Sequence, residues 1–181
     1  MNRRIAILGL SGVGKSTLIR RMSVALPLMH LEASGLIKAE QAFRAQNPNS
    51  SEALRTGTVI NNQALMIAAF QRQSAATDLP IVFDGHSVID GREGLIEIPS
   101  SVFGDLRFDA ICFLADDPSV IAERRRADIG RERPYRDVAT LQDHQRIAEA
   151  AARRIAREIE CPFIYIADGK TDQLYDLIRQ S

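Results

Sequence analysis

Short, almost continuous apolar runs alternate with longer amphipathic stretches along the 181-residue chain. Five of the apolar runs predict strands, at residues 4–8, 28–32, 80–83, 110–114 and 163–166. Apolar and polar residues do not alternate in these runs as they do in a half-exposed strand. The runs are therefore typical of parallel strands buried on both faces. None of them is long enough to predict a membrane-spanning segment.

The stretches between the strands carry apolar residues at helical spacing. They predict helices at 15–26, 34–46, 51–75, 118–128 and 140–160, and a last helix after Thr171. The pattern is clearest in 140–160, where the predicted apolar face consists of Ile147, Ala148, Ala151, Ala152, Ile155 and Ile159. Strands that alternate with helices indicate right-handed crossovers. We therefore expect one α/β domain, with a five-stranded parallel sheet and helices on both of its faces.

Residues 9–16 read Gly-Leu-Ser-Gly-Val-Gly-Lys-Ser and join the first predicted strand to the first predicted helix. This is the P-loop pattern, in which backbone N–H groups and a helix N-terminus surround the phosphates of a nucleoside triphosphate. We expect Lys15 to be an exposed loop residue that reaches the β- and γ-phosphates, and Ser16 to ligate Mg²⁺. The predicted fold is therefore that of the P-loop NTPases, and the predicted ligand is ATP or a close relative.

Composition and further motifs exclude several classes of P-loop protein. Lys and Arg number 23, as do Asp and Glu, and this balance argues against a dedicated nucleic-acid binder. Cys112 and Cys161 lie among apolar residues without a partner at metal-ligand spacing, which fits a reducing cytoplasm. The guanine-reading Asn-Lys-x-Asp of GTPases and the Leu-Ser-Gly-Gly-Gln of transporter ATPases are absent. We expect a cytoplasmic protein with no membrane association and no stable nucleic-acid partner.

The third predicted strand is followed by acidic and basic side chains, in the run Phe83-Asp84-Gly85-His86. Ligands of open parallel sheets bind beyond the carboxyl ends of the strands, so Asp84 is expected near the phosphates as a Mg²⁺ ligand, directly or through water. The alternative is an ordinary turn residue before Gly85. His86 either contacts an acceptor molecule or only orders the loop.

An arginine-rich segment follows the fourth predicted strand and the helix after it. Residues 124–136 contain six arginines, interrupted by Gly130 and Pro134. One interpretation is a solvated charged turn. We favour a lid at about 124–137, because the guanidinium fork matches phosphate and because phosphoryl transfer requires positioning, electrostatic stabilisation and the exclusion of water.

Taken together, these motifs resemble those of the adenylate-kinase-type P-loop nucleotide kinases, in particular the archaeal-type adenylate kinases and their bacterial relatives. With the P-loop, the resemblance covers about half of the chain, and the segments that carry it are Phe83–His86, Gly94–Pro99, Asp116–Pro118, Glu123–Arg125, Asp128, Arg131, Arg133 and Asp143–Gln145. It implies an ATP-dependent phosphotransferase that uses Mg²⁺ and acts on a nucleoside monophosphate, with AMP as the first guess. It also implies a short lid and an acceptor-binding arm at about 30–76.

The resemblance and the P-loop together give each site residue an expected role. The expected catalytic residues are Lys15, Asp84, Arg124, Arg131 and Arg133. The expected ATP contacts are Ser11, Gly12, Val13, Gly14, Lys15, Ser16, Thr17, Arg124 and Gly169. Gly169 belongs to the loop 167–171, which either lies near the adenine or is an ordinary strand-to-helix turn. Ser16 and Asp84 are the expected Mg²⁺ ligands.

The predicted acceptor arm matches the family pattern more loosely. Residues 34–38 read Ser-Gly-Leu-Ile-Lys, one residue shorter than the Thr-Gly-x-x-Leu-Arg run of adenylate kinases and with lysine in place of arginine. The expected acceptor contacts are Ser34, Lys38, Arg55, Gln63 and His86, although Arg55 and Gln63 are equally compatible with solvated surface positions. Two further functions stay open: a kinase for another small acceptor, and a slow ATPase that acts as a regulator or assembly factor.

Overall fold

The computed structural model describes residues 2–44, 59–91, 94–128, 130, 133–167 and 171–179, and for residues 59–61 it describes the backbone alone. The strands are β1 (Arg4–Leu8), β2 (Met29–Glu32), β3 (Ile81–Asp84), β4 (Val88–Asp90), β5 (Leu95–Glu97), β6 (Ala110–Leu114) and β7 (Phe163–Ile166). The helices are α1 (Lys15–Ala25), α2 (Ala33–Phe43), α3 (Val59–Ser74), α4 (Ser100–Leu106), α5 (Pro118–Ala127), α6 (Val138–Glu158) and α7 (Asp172–Arg179). No helix within the described part of the chain combines the length and apolarity needed to cross a membrane.

Five strands form one parallel sheet in the order β2-β3-β1-β6-β7. This confirms the predicted fold class, and three of the five strands match their predicted bounds to the residue. The central strand, β1, is fully buried from Ile5 to Leu8. From β1 the chain crosses to β2 at one edge of the sheet and returns through β3, which lies beside β1, and it then crosses to β6 on the opposite side of β1. The direction of the crossovers therefore changes beside β1. Such a switch point opens a crevice at the carboxyl end of the sheet, where the P-loop begins.

The long helix α6 packs against the sheet through small side chains. Its buried residues are Leu141, Ala148, Ala151, Ala152, Ile155 and Ala156. Asp137 caps the helix by accepting a hydrogen bond from the Thr140 N–H at 2.7 Å, so the helix begins two residues before its predicted start. The prediction was wrong for Ile147, which keeps 36% of its surface exposed because it lies at the edge of the apolar face.

A short hairpin and a short helix between β3 and β6 were not predicted. Strands β4 and β5 pair antiparallel, with Val88 opposite Glu97 and Asp90 opposite Leu95. Each strand has only three residues, which is too few for a periodicity to be read. The hairpin follows the Asp84–His86 turn directly and thereby brings Asp90 to the carboxyl edge of the sheet.

Helices α2 and α3 are joined by an ionic cluster around a buried carboxylate. The Glu40 side chain is 3% exposed, and its carboxylate oxygens lie 2.8 Å from Arg44 Nε and 2.6 Å from Arg72 Nη1. Burial alone would raise the pKa of Glu40, but the hydrogen bonds and charges of Arg44 and Arg72 lower it below its ordinary value. The ionised carboxylate therefore fixes α3 against α2, beside the carboxyl end of β2.

Candidate active site

The P-loop connects the carboxyl end of β1 to the first turn of α1. Gly14 precedes the helix with φ 105°, a left-handed conformation that a residue with a Cβ rarely adopts. The first turn of α1 contains no acidic residue of its own, which suits a helix N-terminus that binds an anion. A cavity of about 260 Å³, called here the P-loop cavity, is lined by Ser11, Gly12, Gly14, Lys15, Ser16, Thr17, Glu32, Ala33, Ser34, Asp84, His86, Arg124, Asp128 and Arg133.

Lys15 is buried, with 5% of its surface exposed, so the expectation of an exposed lysine was wrong. Its Nζ donates hydrogen bonds to Gly9 O at 3.0 Å and to Leu10 O at 3.1 Å. The ammonium also lies 3.8 Å from Asp84 Oδ1. These partners replace the hydration that burial removes, and they hold the lysine against the loop in which it stands.

Asp84 ends β3 beside the P-loop and is itself 5% exposed. Its Oδ2 accepts a hydrogen bond of 2.6 Å from Ser16 Oγ and lies 3.8 Å from His30 Nε2. Burial alone would raise the pKa of Asp84, but polar contact with His30, the charge of Lys15 and the Ser16 hydrogen bond together lower it to about 2. The side chain is therefore a carboxylate at neutral pH.

The chemistry of Ser16 and Asp84 fits a magnesium ion. Hydroxyl and carboxylate oxygens are ligands that Mg²⁺ prefers, and this ion commonly takes only one or two protein ligands beside phosphate oxygens and water. The described residues contain no cluster of three or more His, Cys, Asp or Glu side chains of the kind that would hold a metal by themselves. His30 was missed because its approach to Asp84 depends on the β2–β3 pairing, which no local motif reveals.

Two of the predicted arginines line the P-loop cavity. Arg124 lies on α5 and donates from Nη1 to Val13 O at 2.9 Å and to Asp116 Oδ2 at 2.6 Å. Arg133 has a side chain only 8% exposed and pairs through Nη2 with Asp128. Its Nε and Nη1 atoms are buried without a hydrogen-bond partner in the described structure. The predicted residues Arg131, Arg55 and Gly169 lie outside the described residues.

A second cavity of about 330 Å³ adjoins the P-loop cavity. It is lined by Leu10, Ser11, Glu32, Ala33, Ser34, Gly35, Ile37, Lys38, His86, Val88, Ile89, Asp90, Arg125, Arg133 and Pro134. The predicted acceptor residues Ser34, Lys38 and His86 are thus brought together here. Ser34 Oγ donates a 2.6 Å hydrogen bond to Glu32 Oε1, a carboxylate that the sequence analysis did not single out.

A small apolar cavity of about 80 Å³ continues from the second cavity, with Ala33, Ile37, His86 and Ile89 common to both. Its other lining residues are Asn62, Gln63, Met66, Phe83, Ile98 and Phe103. The predicted acceptor residue Gln63 therefore lies at this apolar end. His86 lines all three cavities, and its Nδ1 lies 2.8 Å from Gly9 O, which fixes the ring against the P-loop.

Arg125 and Asp90 are further site residues that the sequence analysis did not identify. Arg125 Nε donates to Ser11 O at 2.8 Å, and its Nη1 donates to Asp90 Oδ2 at 3.0 Å. Arg125 is one of the six arginines between residues 124 and 136, and nothing in the local sequence distinguishes it from the others. Asp90 carried no signal, because it lies in the hairpin that was not predicted.

The fold and the site define the class of P-loop nucleotide-binding domains. The defining features are the central parallel sheet, the P-loop at its switch point and the carboxylate at the end of the neighbouring strand. A family model described as an AAA domain matches residues 8–142, and the chain belongs to this P-loop family. The chain is 30% identical to the adenylate kinases of Pyrococcus abyssi and Thermococcus onnurineus, in each case over 82% of this chain and 77% of the relative. The predicted resemblance to adenylate-kinase-like nucleotide kinases is thereby confirmed.

A solved structure shares the fold over almost its whole length. The crystal structure of TT1252 from Thermus thermophilus superimposes with a TM-score of 0.54, covering 99% of this chain and 94% of that one. The two sequences are only 15% identical, so this similarity concerns the fold alone.

Proposed function

We propose that this protein is an ATP-dependent nucleotide kinase that transfers the γ-phosphoryl group to a nucleoside monophosphate, with AMP as the first acceptor to test. The observation that carries the proposal is the position of Arg133. It lines both the P-loop cavity and the second cavity, and two of its buried guanidinium nitrogens lack a hydrogen-bond partner in the described structure.

Unsatisfied buried donors are costly, at about 1–3 kcal/mol for each group and more for charged ones. A guanidinium that bears this cost between two cavities is suited to an anion that lies between them. The phosphoryl group carries negative charge on its three equatorial oxygens while it is transferred. Catalysis consists mainly in positioning this group and stabilising that charge. The arrangement requires no covalent enzyme intermediate.

The donor half of the proposed mechanism is the P-loop cavity. The amides of residues 11–17 and the ammonium of Lys15 bind the ATP phosphates, Arg124 stabilises them from α5, and Ser16 and Asp84 hold Mg²⁺. When bound, the magnesium ion neutralises part of the charge on the β- and γ-phosphates. Lys15 exchanges the Gly9 and Leu10 carbonyls for phosphate oxygens. We assign Arg131 to the lid, 124–137, and Gly169 to the adenine loop.

The acceptor half is the second cavity with its apolar extension. A cavity that is charged at one end and apolar at the other suits a phosphate attached to a nucleoside. In this assignment Ser34, Lys38 and Arg55 bind the acceptor phosphate, His86 borders the transfer path, and Gln63 contacts the base. The arm at about 30–76 and the lid then belong to a single kinase domain that covers residues 1–181.

The test is an acceptor screen with Mg²⁺·ATP and a panel of nucleoside monophosphates, followed by nucleotide chromatography. We expect one monophosphate to become a diphosphate while an equal amount of ADP accumulates. A Lys15→Met preparation purified in parallel controls for contaminating kinases. Consumption of ATP only to free phosphate, whichever acceptor is present, would contradict the proposal.

One observation favours a second candidate, a kinase for a small acceptor that carries a hydroxyl instead of a phosphate. The Glu32 carboxylate lines both cavities beside Ser34, and its charge opposes that of a phosphate at the same place. A panel of nucleosides and sugar acids, run under the same conditions, distinguishes the candidates. A phosphorylated hydroxyl compound, with all monophosphates unchanged, would favour this second function.

A further inference from the structure

We propose that Asp90 is a positioning residue that ties the wall of the second cavity to the P-loop. Its carboxylate is 8% exposed and accepts two charge-assisted hydrogen bonds, from Arg125 Nη1 at 3.0 Å and from Arg136 Nε at 3.2 Å. Asp90 lines the second cavity and not the P-loop cavity. Its influence on ATP binding must therefore pass through its partners.

The first connection runs through Arg125 to the P-loop backbone. The Arg125 guanidinium, which Asp90 holds at Nη1, donates from Nε to the Ser11 carbonyl at 2.8 Å. A Cβ on Gly12 would lie 2.9 Å from Arg125 Cγ, so the arginine stem packs directly on the loop. The Ser11 carbonyl and the Gly12 N–H belong to one planar peptide. Fixing that carbonyl therefore fixes the direction of a P-loop N–H group.

The second connection runs through Arg136 to the segment before α6. Arg136 binds Asp90 through Nε and donates from Nη2 to the Gly91 carbonyl at 3.0 Å. The third neighbour is His144, whose Nδ1 lies 3.8 Å from Asp90 Oδ1. Burial lowers the pKa of His144 and outweighs the opposing charge of Asp90. The imidazole is therefore neutral at neutral pH, and the two guanidiniums are the cations that Asp90 orders.

Replacing the carboxylate by an amide isolates this role. In Asp90→Asn the shape is kept, while the charge that holds Arg125 in place is lost. We expect the Mg²⁺ complex of a non-hydrolysable ATP analogue to bind about tenfold more weakly, because ligand binding must then order Arg125 and the Ser11–Gly12 peptide without the charge-assisted hydrogen bond from Asp90. Asp90→Glu should restore part of the affinity. Asp176→Asn, an exposed acidic residue on α7, is the matched control and should bind as the wild type does. Titration calorimetry measures all four proteins below their melting temperatures.

A double-mutant cycle separates positioning from a general loss of packing. Arg125→Lys keeps a cation beside Asp90 but removes the planar fork that bonds Ser11 and Asp90 together. We expect it to weaken analogue binding about as much as Asp90→Asn does, and we expect the double variant to lose little more, because both changes break the same connection. The proposal is overturned if Asp90→Asn binds like the wild type, or if the losses in the double variant multiply. If Asp90→Asn does not fold, Asp90→Glu takes its place in the cycle with Arg125→Lys, and the proposal is overturned if Asp90→Glu binds the analogue like the wild type or if the losses in that double variant multiply.

The inference rests on the proposed function only in so far as ATP is the ligand of the P-loop. The calorimetric readout needs no acceptor. An acceptor screen that fails with the wild-type protein would therefore contradict the nucleotide kinase proposal and leave the Asp90 connection standing. Unchanged analogue binding in the variants would contradict the Asp90 connection and leave the nucleotide kinase proposal standing.

Discussion

The P-loop cavity draws six of its lining residues from one continuous segment, Ser11–Thr17, whereas the second cavity collects most of its side chains from α2, β4, α5 and the segment before α6. The continuous side is determined by local geometry, namely a glycine-rich turn and a helix N-terminus. The distributed side depends on how separate elements pack. Substitutions can therefore alter the second cavity while the geometry of the P-loop is retained.

The two sides also differ in their charges. Around the P-loop, Lys15 and Asp84 lie 3.8 Å apart and are both buried, and each is fixed by hydrogen bonds. The second cavity has charged residues of both signs at half-exposed positions, Lys38 and Glu32, of which Glu32 also lines the P-loop cavity. Charge on the P-loop side is thus held by buried contacts, while the second cavity also presents charge of both signs nearer to solvent.

The largest expected effect is that of Lys15→Met. The substitution removes the ammonium that we assign to the transferred phosphate, and losing one such group typically costs a factor of about 10²–10³ in turnover. We expect turnover with Mg²⁺·ATP and the best acceptor to fall by about 10³-fold. The apolar stem of methionine fills the buried site, so circular dichroism should show a folded protein. A variant that keeps a tenth or more of the activity would remove Lys15 from the mechanism.

The second-largest effect is expected from Arg133→Met. Its kcat should fall by about 10²-fold, because we assign Arg133 to the charge that develops during phosphoryl transfer. Its effect on stability should be small or positive, since two unsatisfied buried donors disappear together with the cation. Melting curves and steady-state kinetics measure the two effects separately. Arg179→Met, at an exposed position of α7, is the control. A collapse in melting temperature would show that Arg133 has a structural role instead.

The fold was largely predictable because its central strands carry their own signal. β1 and β6 are buried on both faces, and a continuous apolar run is what such burial requires of a sequence. The hairpin β4–β5 was missed because half-exposed strands of three residues have no measurable period. Ile147 was misplaced because spacing alone does not locate the edge of a helix face.

The candidate site was predictable only where its residues are contiguous or follow a strand directly. The P-loop is contiguous and Asp84 lies at the end of a predicted strand, and the structure brings Ser16 and Asp84 into contact. The burial of Lys15 depends on carbonyls of its own loop and on the Asp84 carboxylate at the end of β3, so the motif alone did not reveal it. Asp90 and Arg125 are 35 positions apart, and their pairing follows only from the completed fold.

The ionisation of Asp84 gives a prediction that concerns only the P-loop side. Because the fold lowers the pKa of Asp84 from 3.8 to about 2, its carboxylate contributes stability that is fully present above pH 4 and is lost as the pH falls toward 2. The difference in unfolding free energy between wild type and Asp84→Asn should therefore shrink by about 2 kcal/mol between pH 5 and pH 2. Urea titrations at several pH values measure it, and a difference that stays constant would contradict the shifted pKa. Asp176→Asn, which is exposed, provides the baseline.

The smallest effect is expected on the distributed side, from Gln63→Ala. If the amide contacts the acceptor base, its loss removes one neutral hydrogen bond, and the KM for AMP, or for whichever acceptor the screen selects, should rise about fivefold to tenfold. The KM for ATP and the kcat should stay unchanged, because Gln63 lines the apolar cavity and not the P-loop cavity. Gln71→Ala, an exposed glutamine on the same helix, is the matched control. If both substitutions have the same effect, or if neither has any, then Gln63 makes no specific contact with the acceptor. A rise in the KM for ATP alone would instead mean that Gln63 affects the P-loop cavity, which it does not line.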